Sequence, residues 1–529
     1  MSGLVGTGEL LRLLLRRDRV FLPVWLVSLV AYLLATANAV AATYDTPVKI
    51  ASYAVNLGGS PAVVAFNGPP VALDTIGGIL IYETGLSALI GVALMSIFLV
   101  VRHTRREEEA GRTELLRSTV VGEHADVAAV LLVATGASVV VGAGCAYALL
   151  GNGVQVAGSL VYGAAVAAMG VVYAAVAACA AQLMTHARGA VGLSLAVLAV
   201  SFMLRAVGDV GNVAFSFLSP MGWSQQVRAL DDNRWWPLLL SLALVVVLVA
   251  ATVVLTNRRD LGSGIVAARP GPPEAARGLA HPLGLAWHLQ RATVVAWVAG
   301  IFTLGLIFGS VTEEIQNMVK DNPTLADYIQ KASGASLVDS YFGTMLLLIG
   351  IGAAGFAVAS ALRIRGEETS GRLEPVLATA VSRPQMMLGS LVVTVFGSVA
   401  VVAAGGLGSG VSYALVTGDA SVTWPLVAQA MVFVPAVLVT AGVAVLLVGW
   451  APYASGIAWG ALALTFVIGW VGGLLKIPDW FADLSPFTHT PQLPAQDFRL
   501  TPVLLLSAVF VVQVVAGLVG FQRRDIGRT

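Results

Sequence analysis

The chain has 529 residues, of which 57% are hydrophobic and only 11% charged, and its formal net charge is +1. A mean hydropathy of +0.85 excludes an ordinary soluble domain, and the near-neutral charge excludes a broad nucleic-acid-binding surface. Both cysteines, Cys145 and Cys179, fall inside apolar runs, so neither a disulfide framework nor thiol chemistry is expected.

Read in chain order, apolar runs long enough to cross about 30 Å of hydrocarbon recur throughout. They predict about twelve spans, at 21–42, 78–101, 127–150, 157–184, 189–206 and 236–256, then at 292–311, 340–362, 386–416, 425–449, 454–475 and 502–521. An unpaired backbone amide in lipid costs several kcal/mol, so each span must be a helix and the fold class is an all-α polytopic membrane protein. Before the first span, residues 4–19 alternate leucines with Arg12, Arg16 and Arg19, which share one helical face; this stretch is expected to lie in the membrane interface, to act as a basic orientation signal, or both. Ala37 to Ala39 imitates a signal-peptide cleavage site, but the apolar run continues past it.

The halves repeat. E-E-x-x-G-R-x-E occurs at Glu107 to Glu114 and again at Glu367 to Glu374, "RRDLG" from Arg258 recurs as "RRDIG" from Arg523, and "LSP" from Leu218 recurs from Leu484. The three landmarks keep their order at nearly constant offset, and six spans per half return the chain to its starting side, so the repeats are parallel. The expected domains are a first six-helix half at 1–261 with its interfacial helix, a Pro/Gly-rich linker at 262–285, and a second six-helix half at 286–529. With the N-terminus inside, 22 of the 30 Lys and Arg residues fall in cytoplasmic segments, as does each acidic motif, directly after the second span of its half.

Within each motif Glu108 and Arg112, like Glu368 and Arg372, are spaced i, i+4 and are expected to pair on one face of a short helix. Such an exposed pair contributes only about 0.3–0.5 kcal/mol, so self-stabilisation does not account for the cluster. Leu115 and Leu116 follow in the first copy, and Val376 and Leu377 in the second. A short helix with a polar face and an apolar edge fits a groove on a soluble partner; the competing reading is a solvated loop, and recurrence in equivalent places favours the partner. Pro375, where the first copy has Leu115, is expected to stop or kink the second helix.

No catalytic constellation is evident. None of the four lysines sits in a G-x-x-x-x-G-K-[ST] loop, and there is no His/Cys ligand cluster or G-x-S-x-G elbow. Ionisable groups at membrane depth are few. Glu83 lies near the outer end of the second span, while Arg205 and Asp209 lie one turn apart at the outer end of the fifth, where they can neutralise one another.

The segments "LLRLLLRRDRVFLPVW", "RHTRREEEAGRTELLRSTVVG", "LRAVGDVG", "SPMGWSQQVR", "IRGEETSGRLEPVLATAVSR" and "LSPFTHTPQLP" together resemble the permeases of ABC-2-type exporters, specifically the fused two-half actinobacterial polyketide-antibiotic (tetronasin-like) exporters. The resemblance covers nearly the whole chain and rests on the order and spacing of these segments. It implies a plasma-membrane permease without its own nucleotide site, driven by two copies of a cytosolic ATPase that carry the ATP and Mg, and exporting hydrophobic or amphipathic small molecules. It casts Glu107, Glu108, Gly111, Arg112, Glu114, Leu115 and Leu116, with Glu367, Glu368, Gly371, Arg372 and Glu374, as segments that dock on the ATPase. It also makes Phe202, Met203, Trp459, Phe466 and Trp470 candidates to line the substrate path, with core or lipid-facing packing as the other reading for each; from their depth, Glu83 and the Arg205–Asp209 pair are further path candidates, the other readings being a hydrogen-bonded packing role for Glu83 and an interfacial ion pair fixing the helix end for the pair. The rival architecture is a proton-coupled secondary exporter of the major-facilitator type, which would call for a basic loop after the second span and further acids in the first half.

Overall fold

The computed structural model describes residues 3–57, 61–266, 273–312, 316, 336–475 and 478–525. Residues 267–272 of the expected linker, the side chain of Trp470, and Ile526 and Gly527 of the second R-R-D-I-G motif lie outside the described residues. The chain divides into two compact units, Met1–Gly271 and Pro272–Thr529. Eleven helices among the described residues are long and apolar enough to cross a membrane, and the remaining expected span is followed as a shorter apolar helix over Ile457–Gly469.

The first unit runs α1 (Thr7–Arg17), α2 (Phe21–Thr43), α3 (Pro47–Leu57), α4 (Pro61–Asn67), α5 (Ile76–His103), α6 (Arg105–Glu109), α7 (Arg112–Arg117), α8 (Ala125–Gly151), α9 (Val156–Leu183), α10 (Ala187–Val210), α11 (Pro220–Gln226) and α12 (Pro237–Thr256). Helix α1 docks its Leu10 against Ala125 and Ala129 of α8. It ends at Arg17, so only Arg12 and Arg16 of the expected basic trio are on the helix and Arg19 lies past its end. Helix α5 is the core of the unit. Thr75 caps it by accepting the Gly78 N–H at 3.1 Å, and Leu80, Val92 and Ile97 are fully buried along it. Lipid tails are as apolar as leucine, so contact between spans depends on close packing rather than on burial alone. Helices α8 and α9 achieve it at Gly142 and Gly163, where a Cβ on either would lie 2.3 or 2.5 Å from the other's carbonyl oxygen.

The second unit runs α13 (Pro282–Ser310), α14 (Leu337–Ala361), α15 (Arg363–Thr369), α16 (Leu373–Leu377), α17 (Arg383–Thr417), α18 (Thr423–Met431), α19 (Val434–Trp450), α20 (Ile457–Leu475), α21 (Asp479–Ala482) and α22 (Leu500–Arg523). Its opening stretch is one helix where the first unit has two, with Pro282 at the first position, where a missing N–H costs nothing. The span expected at 425–449 is divided between α18 and α19, because Pro435 cannot donate to the turn before it.

Helix α16 passes through Pro375. The expectation that proline would stop or kink this helix is therefore corrected. Pro375 occupies the first turn, where backbone N–H groups have no partner inside the helix in any case.

Candidate functional site

The two acidic motifs sit at the end of the second span of each unit and are built alike. In the first, α6 and α7 are separate short helices joined through Ala110 and Gly111, with Gly111 at φ +71°; in the second, Gly371 at φ +70° separates α15 from α16. This left-handed backbone suits glycine, and it turns the chain back on itself.

That turn overturns the expected i, i+4 pairs. Arg112 bonds not to Glu108 but to Glu107, at 2.6 and 2.9 Å, and Arg372 bonds not to Glu368 but to Glu367, at 2.6 Å. An i, i+4 pair needs an unbroken helix, and the glycine breaks it. Glu107 also accepts Arg17 of α1 at 2.6 Å, and Glu367 accepts Arg363 at 2.8 Å. The hydrogen bond to Glu107 raises both Arg17 and Arg112 above the ordinary guanidinium value, so both stay charged.

The second glutamate of each motif faces inward, to a partner from the far end of its unit. Arg259, just beyond α12, holds Glu108 with two bonds at 2.5 and 2.8 Å; Arg524, just beyond α22, holds Glu368 at 2.6 and 2.7 Å. Arg105 and Arg365 reinforce these carboxylates from one turn back, at 2.9 and 3.1 Å. The Gly262 N–H donates to Glu108 as well, at 2.7 Å. Each outer arginine also reaches the end of the fourth span of its unit. Arg259 donates to the Gln182 side chain at 2.6 Å, and Arg524 to the Val448 carbonyl at 3.1 Å. The result is a clasp that binds together the ends of the second, fourth and sixth spans. In the first unit Glu109 adds the fifth, accepting the Ala187 N–H at 2.8 Å.

Burial divides each motif in two. The side chains of Glu107, Glu108, Glu367 and Glu368 are all at most 10% exposed, whereas Arg112 and Arg372 are 50% and 61% exposed. Glu114 and Leu115 are exposed, as are Glu374 and Pro375, while Leu116, Val376 and Leu377 are half-buried. From Gly111 to Ser118, and from Gly371 to Ala378, the alternation of buried, half-buried and exposed positions is the same residue for residue.

Sequence reasoning missed Arg17, Arg105, Arg259, Arg365 and Arg524 as members of this site. The signal was present, since R-R-D-[LI]-G repeats with the acidic motif, but it served only as a landmark of the repeat.

In the first unit the candidate path residues belong to two separate groups of contacts. Glu83, exposed on α5, accepts the Tyr53 hydroxyl from α3. Arg205 and Asp209 pair at 3.5 Å as expected. Arg205 is fully buried, donates to the Phe66 carbonyl at 2.9 Å and lies 4.6 Å over the Phe202 ring, while Ser216 donates to Asp209 at 2.7 Å. This group acts as a knot fastening α4 and the Ser216 turn to α10. Met203, Trp459 and Phe466 are exposed.

A chain with eleven membrane-length helices among its described residues is a polytopic membrane protein, and comparison with known proteins makes it a permease. Residues 279–522 match the family described as multidrug efflux system permease Rv1217c, C-terminal domain. Over 530 residues, covering 99% of this chain and 96% of the relative, the sequence is 40% identical to the multidrug efflux system permease protein Rv1217c of Mycobacterium tuberculosis (strain ATCC 25618 / H37Rv). The chain belongs to this family of multidrug efflux permeases.

Proposed function

We propose that the chain is the membrane-spanning subunit of an ATP-driven ABC exporter, with its termini and both clasps in the cytoplasm. In this reading it works with two copies of a separately encoded ATPase, which carry the ATP and Mg, and moves hydrophobic or amphipathic small molecules outward. The observation that carries the reading is the duplication of the clasp with the same exposure pattern in both units. Internal pairing accounts for the buried glutamates, but not for a matched exposed edge on α7 and α16. Two such edges suit two identical partners.

The clasp supplies a route for the mechanical step. A partner moving against Arg112, Glu114 and Leu115 would push on α7. Glu107, bonded to Arg112, and Glu108, bonded to Arg259, pass that displacement to the ends of the second, fourth and sixth spans together. The Glu108–Arg259 pair, buried on both sides, moves as a unit, because parting it exposes uncompensated charge. The cargo follows from the relative's description as a multidrug efflux permease and from the likeness to polyketide-antibiotic exporters; the exposed Met203, Trp459 and Phe466 are compatible with apolar cargo.

The test is efflux of a fluorescent lipophilic cation from cells expressing the chain with its neighbouring ATPase gene. Replacing the P-loop lysine of that ATPase should abolish efflux, and collapsing the proton gradient while ATP is maintained should leave it intact. The reverse pair of results would favour a proton-coupled exporter.

A further inference from the structure

Glu83 lies about 10 Å along α5 from Ile76, at the end of the helix away from the clasp. Its side chain is exposed. Among the described residues no lysine, arginine or histidine pairs with it; it accepts the Tyr53 hydroxyl of α3 instead. The cations nearby are engaged elsewhere, Lys49 of α3 by Asp45 at 2.6 Å and Arg205 by Asp209. A carboxylate at membrane depth is costly, and where a chain keeps one it faces water or a cation.

The fold itself does not call for an acid at this place. The offset between Glu107 and Glu367 sets Gly343 of α14 where the first unit has Glu83, with Phe342 and Thr344 where it has Tyr82 and Thr84. The aromatic ring and the threonine recur, and the acid does not. Gly343 is also buried, since a Cβ there would lie 3.3 Å from the Gln492 carbonyl oxygen and 3.4 Å from the Ala495 Cβ. The second unit covers the position with its own chain, whereas the first leaves it open and charged.

Aromatic rings surround the open carboxylate. Tyr53 meets Tyr44 edge to face at 4.9 Å and Tyr82 at 6.4 Å. Tyr53 and Tyr82 are buried, but Tyr44 is only half-buried, so part of its ring stays accessible. Burial, and after it the charge of Glu83, raises the Tyr44 phenol above its ordinary value, so this ring remains neutral. A carboxylate with an accessible tyrosine nearby attracts an organic cation by its charge and again by the quadrupole of the ring.

We propose that Glu83 and Tyr44 form a binding site for a lipophilic organic cation, its charged nitrogen on the Glu83 carboxylate and its apolar body against the Tyr44 ring. The proposal rests on the exporter reading and names one class of its cargo. Tyr53 positions the carboxylate through its hydroxyl, and neutral cargo has no need of the charge. The second unit has no counterpart, so one such site per chain is expected.

The experiment is fluorescence anisotropy of rhodamine 123, a cation, and of Nile red, a neutral dye, titrated with the purified full chain in a neutral detergent, so that neither an ATPase nor an energy source enters. Glu83→Gln keeps an oxygen for the Tyr53 hydroxyl and removes only the charge. It should weaken rhodamine 123 binding about fivefold and leave Nile red unchanged. Glu83→Asp should keep most of the affinity for the cation, and Tyr44→Leu should weaken it about threefold. Melting curves identify a variant that fails to fold, and Tyr44→Leu decides the matter if Glu83→Gln does. Absence of rhodamine 123 binding to the wild type, unchanged binding in Glu83→Gln, or an equal loss of both dyes would overturn the proposal. Cellular efflux of rhodamine 123 that survives loss of the ATPase, with binding still dependent on Glu83, would contradict the ATP-driven reading and support the site.

Discussion

Arg259 grips Glu108 with two hydrogen bonds, at 2.5 and 2.8 Å, across 151 residues of sequence. The same grip recurs between Arg524 and Glu368 across 156 residues. The two motifs that mark the internal repeat are thus the two halves of one joint, made once in each unit.

Removing the arginine leaves a carboxylate at most 6% exposed, Glu108 with Arg105 and the Gly262 N–H and Glu368 with Arg365. Breaking one side of a buried ion pair typically costs about 3–5 kcal/mol, with the remaining arginine favouring the lower end. Arg259→Ala and Arg524→Ala should therefore each lower the melting temperature of the purified chain. Replacing all three groups by apolar residues, as in Glu108→Leu with Arg105→Met and Arg259→Met, should recover part of the loss, because no buried charge is then left unpaired.

Arg112→Ala and Arg372→Ala should behave differently. Each arginine is half-exposed or more, and Glu107 and Glu367 keep Arg17 and Arg363. The stability change should stay below about 1 kcal/mol. Association with the ATPase should weaken more than this, because these guanidinium groups lie on the exposed edge. Melting curves and pull-down of the ATPase on the same preparations separate the two effects.

These contrasts show what the sequence made legible. The spans, the repeat and the place of each acidic motif follow from apolar runs and local spacing. Pairing of Arg259 with Glu108 does not, because spacing rules reach one helical turn and this contact joins the ends of different spans. The i, i+4 expectation failed at Gly111 and Gly371, where a positive φ ended the helix that the rule assumes. Splitting of α18 from α19 was signalled by Pro435 but hidden inside an unbroken apolar run. Pro375 misled for a different reason: proline breaks a helix only beyond its first turn, and the helix begins two residues before it.

Gly111→Ala and Gly371→Ala test the turn itself. No atom lies within 4 Å of a Cβ built at Gly111, so the penalty there is conformational, about 1–2 kcal/mol for a left-handed alanine. Export should fall with these changes if the turn sets the angle of α7, and an added efflux measurement reads this directly.

Pro375→Ala should leave melting within about 0.5 kcal/mol of wild type, since proline in the first turn of α16 removes no helical hydrogen bond. A clear gain in stability would indicate that proline strains the helix after all.

The central claim is that the exposed edges of the two clasps each receive one copy of the same ATPase. The most direct measurement is the mass of the complex purified through a tag on the permease, with ATPase hydrolysis blocked to hold it together. The account predicts one permease chain with two ATPase subunits, falling to one when Leu115→Asp and Glu114→Arg are introduced into the first edge alone. A wild-type complex with a single ATPase, or one whose composition ignores changes on both edges, would contradict it.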